Sequence, residues 1–147
     1  MSIKETLVQD LKLSLKEKDS IKKNTIQSIR AAILQVEKDS RKELTEDGIL
    51  EVIAKELKKR RDVLPEYEKS GREDLITQLN REIEIVMGYL PSQLSQDELD
   101  EIVRQAIEAV GASSMKDMGA LMAEVMPKVR GRADGSMVNA LAKKHLM

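Results

Sequence analysis

The chain has 147 residues, enough for one ordinary domain or two small ones. Its 25 basic and 26 acidic side chains nearly cancel, so global charge gives no argument for a nucleic-acid or membrane partner. The absence of cysteine excludes a disulfide framework and thiolate chemistry, and no run approaches the roughly 20 apolar residues that span a bilayer.

With no Phe or Trp and only Tyr67 and Tyr89, the core must come from Leu, Ile, Val, Ala and Met. Aliphatic residues at spacings of three and four predict an all-α fold: an N-terminal unit of about four helices, then a compact three-helix bundle. Ser2 and Glu5 form a capping box that opens the first helix, with Ile3, Leu7, Leu11 and Leu15 as its stripe. A second helix runs over about 21–41, carrying Ile26, Ile29, Ile33 and Val36. Thr45 caps a third, with Ile49, Leu50, Ile53 and Leu57 inside; Pro65 is expected to kink or split it, and Gly71 to end it. The basic run Lys55, Lys58, Lys59, Arg60 and Arg61 reads as a solvated face, paired with Glu51, Glu56 and Asp62. A fourth helix spans about 72–89 with Leu75, Leu79, Ile83 and Val86.

Leu90-Pro91 disfavours helix, which places a domain boundary between residues 1–92 and 93–147. Ser95 and Glu98 cap a fifth helix that ends at Gly111, and Ser113 or Ser114 caps a sixth. Pro127 should kink or end that sixth helix. Asp134 is placed to cap the last, about 135–146, whose final turn holds Lys143, Lys144 and His145. Charge is uneven here: residues 93–112 hold one basic and five acidic side chains, residues 113–147 six basic and three acidic.

Between the last two helices Lys128, Arg130 and Arg132 alternate, with Gly131 and Gly135 freeing the backbone to turn. A basic, glycine-bearing loop beside exposed helix-start N–H groups suits an anion. The structural alternative is that Arg132 pairs with Asp134 or caps carbonyls at the sixth helix's end. His145, the one histidine, reads as a surface residue suited to the helix dipole. No constellation for catalysis, metal ligation or ATP binding stands out, so no catalytic residue, metal or cofactor is expected. The methionines of residues 115–137 read either as adaptable core or as an exposed partner groove.

The stretch MGALMAEVMPKVRGRADGSMVNALAKKHL resembles the C-terminal signature of the GatB/YqeY family. KELKKRRDVLPEYEKSGREDL and VMGYLPSQLSQDEL are similar to its small stand-alone branch, so the resemblance covers essentially the whole chain. The other branch is the tail domain of the B subunit of the tRNA-dependent Asn/Gln amidotransferase. The resemblance implies a family label of carbon–nitrogen ligase with glutamine as amido-N donor. That chemistry needs an ATP site, a tRNA-bound substrate and a glutaminase, and only the tail domain is represented here. The tail domain's association with tRNA makes Lys128, Arg130, Arg132, Gly131 and Gly135 the candidate nucleic-acid-binding set. The expected function is therefore a non-enzymatic, cytoplasmic tRNA-binding module, or an accessory to a tRNA-modifying or aminoacylating enzyme. The alternative is a cytoplasmic protein–protein adaptor without RNA binding.

Overall fold

A computed structural model describes residues 1–147 and is all-helical. Its backbone divides into two compact units, Met1–Pro91 and Ser92–Met147. The first contains α1 (Ile3–Glu17), α2 (Ser20–Ser40), α3 (Glu46–Ser70) and α4 (Glu73–Met87). The second contains α5 (Gln96–Val110), a single 3₁₀ turn (Met115–Asp117), α6 (Met118–Val129) and α7 (Gly135–Leu146).

Helix boundaries follow local chemistry. Ser2, Asp19, Thr45 and Ser95 each accept a first-turn N–H on the side-chain oxygen, from Glu5, Lys22, Gly48 and Glu98 respectively. Gly71 and Gly111 end α3 and α5 with φ of 70° and 68°, a left-handed conformation that glycine takes without a Cβ penalty. Lys18 and Arg41 end α1 and α2 in the same conformation, at φ 60° and 56°, with the penalty. Pro65 neither splits nor ends α3, which runs unbroken to Ser70. Both Pro65 and Arg61, whose carbonyl loses its helical donor, are exposed, so water can satisfy that carbonyl.

In the first unit α2 packs against α1, α3 and α4, and α3 against α4. Leu7, Ile26, Ile29, Ile49, Ile53, Leu57 and Val86 form its core. Leu15 departs from the expected stripe and is 55% exposed, while Ser14 is buried. A four-residue step overshoots a full turn by about 40°, so Leu15 lies about 80° from Leu7, whereas Ser14 lies about 20° from it. Ser14 satisfies its hydroxyl by donating to the Leu11 carbonyl at 2.7 Å. Val36 is also more exposed than its place in the pattern suggests. Tyr89 donates to Asp10 at 2.5 Å, tying the chain after α4 back onto α1. Burial first, then this bond to a carboxylate, pushes the tyrosine hydroxyl well above its ordinary value.

Arg60 corrects the reading of the basic run. Its side chain is only 12% exposed and bridges α3 to α4, with Nε donating to Glu82 at 3.1 Å and Nη1 to Glu56 at 3.3 Å. Lys58–Asp62 at 2.7 Å and Lys59–Glu56 at 3.0 Å are the helix-face pairs the sequence suggested.

In the second unit α5, α6 and α7 pack on one another in pairs. Leu99, Val103, Ala106, Leu121, Val125, Val129 and Val138 are all fully buried. Met118, Met122 and Met126 pack against this core, as adaptable filler does, while Met115 and Met137 stay on the surface.

Candidate nucleic-acid interface

The loop between α6 and α7 is built by termination and restart. Pro127 lies in the last turn of α6, which stops two residues later at Val129. Arg130 turns to extended backbone (φ −55°, ψ 124°), and Gly131 then takes φ 75°, buried, where a side chain would add strain. Arg132 and Ala133 both donate their N–H to the Val129 carbonyl, at 2.7 and 3.0 Å.

Residues 92–94 clasp this loop. Leu94 N–H donates to the Arg132 carbonyl at 2.9 Å, and Gln93 Nε2 to the Gly131 carbonyl at 2.7 Å. Arg132 Nε returns a bond to the Ser92 carbonyl at 3.1 Å. The sequence carries no sign of this clasp, because two of its three bonds use only backbone on one side and its partners are about forty residues apart.

The candidate residues fare differently within this frame. Lys128 is exposed on α6 and pairs with Glu124 one turn earlier at 3.1 Å. Arg130 is half-buried, with its Nε out of solvent. Arg132 spends one nitrogen on Ser92, not on Asp134 or the end of α6. Gly135 begins α7; a Cβ there would meet Met126 Cε at an ordinary 3.8 Å, so crowding does not require glycine. The helix start itself is not left open for an anion. Asp134 takes the Ser136 N–H at 3.1 Å and the Ser136 hydroxyl at 2.7 Å, placing a carboxylate where an anion would sit. Asp134→Ala should therefore cost about 0.5–2 kcal/mol of stability, read as a lowered denaturation midpoint; no change would free Asp134 for another role.

His145 has a partner that the sequence did not disclose: Asp100 on α5, 2.6 Å away. The bond from His145 holds the Asp100 carboxyl below its usual range, and the N–H groups of Ser113 and Ser114 do the same for Asp117. A carboxylate depressed in the fold stabilises it above the ordinary value near 3.8 and loses that contribution as pH falls through the lower, folded value. The N–H partners of Asp117 do not titrate, so its contribution should hold from neutrality to about pH 4 and fall below it, with Asp117→Asn less acid-sensitive in thermal melts than the parent. A melt as steep for Asp117→Asn as for the parent would count against this assignment. No group of three or more His, Cys, Asp or Glu side chains is placed to hold a metal ion.

A family model described as Yqey-like protein matches residues 4–146. The chain is 28% identical over 130 residues to "Altered inheritance of mitochondria protein 41, mitochondrial" of Pyrenophora tritici-repentis, covering 86% of this chain and 71% of that protein. To the protein of the same name from Kluyveromyces lactis it is 37% identical over 105 residues, covering 69% of this chain and 56% of that one. To a glutamyl-tRNA(Gln) amidotransferase subunit of Thermococcus gammatolerans it is 33% identical over 163 residues, 99% of this chain but only 24% of that protein. The match extends across both helical units and through the clasped loop, and the chain belongs to the YqeY-like family.

Proposed function

We propose that this chain is a non-enzymatic tRNA-binding module, or an accessory to a tRNA-modifying or aminoacylating enzyme. One observation carries the reading: nearly the whole chain aligns with a quarter of an amidotransferase subunit whose name specifies a tRNA substrate. A segment that is only a part of that protein is better suited to holding the substrate than to the complete amide transfer. The backbone adds physical support, since α6 carries Lys128 and the clasped loop carries Arg132, so that binding need order only their side chains. Lys143 and Lys144, exposed in the last turn of α7, add to the positive charge of the same unit. With two tyrosines in all, there is no row of stacking platforms, so contacts go to the phosphates and shape of a folded RNA.

A site neutralising about three phosphates should show a log–log salt slope of roughly −2 to −3. Lys128→Glu should weaken tRNA binding and make that slope shallower by about 1. Arg132→Gln keeps an N–H for the Ser92 carbonyl while removing charge, so it tests phosphate contact apart from folding. No tRNA binding at low salt, or binding indifferent to Lys128, Arg130 and Arg132 replacements, defeats the reading. For the compartment we propose the cytoplasm; "mitochondrial" belongs to the names of several relatives, and fractionation of the native host decides between the two.

A further inference from the structure

The first unit carries a surface feature with no part in the loop just described. Between α1 and α2 lies a cavity of about 430 Å³, floored by Leu7, Val8, Ala31 and Leu34 and edged by Gln27 and Arg30. A shallow, open surface adjoins it along α2 and reaches Lys38, Arg41 and Lys42. Lys4, Leu34 and Glu37 line both, so the groove between α1 and α2 opens directly onto this cationic surface. Leu34, at its centre, is 58% exposed. A large aliphatic side chain exposed at the middle of a groove marks a contact surface more than one standing alone on a helix does.

The rim of the groove sets the charge of its occupant. Five cations and two carboxylates line it, and both carboxylates are already engaged. Lys4 sits 2.6 Å from Glu37 and 3.7 Å from Glu43, and Glu37 also accepts the Leu44 N–H at 2.8 Å. Arg30, Lys38, Arg41 and Lys42 remain along the edge as a line of positive charge. Arg41 holds φ 56°, a conformation glycine would take more cheaply, so its side chain is present at a backbone cost.

An apolar floor between cationic edges suits a helix with an apolar stripe and acidic flanks. From Gln27 to the end of α2 the groove and the cationic surface beyond it follow about 20 Å of helix axis, room for three to four turns of a partner helix. A nucleic acid could pair its phosphates with this rim but would leave the apolar floor of Leu7, Val8, Ala31 and Leu34 uncovered, whereas an amphipathic helix covers both. We propose that this groove docks an acidic amphipathic helix of a partner protein. Its apolar residues rest on Val8 and Leu34, and its carboxylates face Arg30, Lys38, Arg41 and Lys42.

The test is selection of a phage-displayed library of 16-residue peptides on the full chain, with saturating tRNA present and absent. Enriched sequences should share apolar residues at i, i+3 or i+4, and i+7, carry net negative charge, and bind independently of tRNA. The synthetic form of the leading sequence should lose about tenfold or more in affinity against Leu34→Asp. Arg41→Gly should weaken it severalfold while leaving the melting temperature equal or higher, since glycine suits φ 56°. That second variant separates docking from folding. Basic or patternless sequences, displacement of the peptide by tRNA, or undiminished binding to both variants would overturn the proposal. Lys128→Glu should leave peptide binding unchanged, so failure here and failure of the tRNA reading are told apart.

Discussion

Replacing Arg60 with methionine is expected to cost about 3 kcal/mol of stability, the low end of what breaking a buried ion pair costs. The guanidinium holds three acceptors: Glu82, the Glu56 carboxylate, and the Glu56 carbonyl at 3.1 Å. Glu56 is 5% exposed, so removing Arg60 leaves a desolvated carboxylate whose remaining cation, Lys59, is 73% exposed. Lys59 keeps the loss at the low end, because it can still approach Glu56. Arg60→Lys should recover only part, since an ammonium cannot reach Glu56 and Glu82 with the fixed fork of a guanidinium. Replacing Glu56 by leucine together with Arg60→Met removes the orphaned charge and should regain most of the loss. Urea denaturation followed by far-UV circular dichroism measures all three variants. A loss under about 0.5 kcal/mol for Arg60→Met would return Arg60 to the solvated face that the sequence suggested.

That residue shows where local pattern stops being informative. Glu56 and Arg60 are one helical turn apart, which in sequence is indistinguishable from an exposed pair. Their burial comes from α4, whose Glu82 is 22 residues further on. The caps were legible for the opposite reason. Ser2, Thr45, Ser95 and Asp134 each satisfy an N–H two or three residues away, and Gly71 and Gly111 act within their own turns. The apolar stripes were legible where helical drift is small, and failed at Leu15, where successive four-residue steps accumulate rotation. At the candidate interface the Gly-Arg-Ala-Asp-Gly run announced a turn, and Gly131 makes one. What held the turn was hidden, because Ser92 and Leu94 contribute only backbone groups and Gln93 is an ordinary polar residue shortly after a proline. The sequence likewise placed His145 on the surface but offered no reason to join it to Asp100, 45 residues earlier.

Leu121→Ala should be among the most damaging substitutions in the second unit, at about 2–5 kcal/mol. Leu121 is fully buried in the cluster that holds Leu99, Val103, Val125 and Val138, with no aromatic side chain to absorb the vacated volume. Methionines 118, 122 and 126 flank this core and can shift toward the cavity, which favours the middle of that range over its top. A unit this size has roughly 3–8 kcal/mol in total, so the substitution should bring it close to unfolding at ambient temperature. Hydrogen exchange is the discriminating measurement. Protection should collapse in α5, α6 and α7 and persist in α1 to α4 if the two units are separate folding domains. Loss of protection along the whole chain would instead make it one cooperative body. The same variant bears on function: tRNA binding that depends on the clasped loop should disappear with Leu121→Ala, while docking in the groove between α1 and α2 should survive it. Loss of peptide binding with α1 to α4 still protected would count against the groove between α1 and α2 as the docking site.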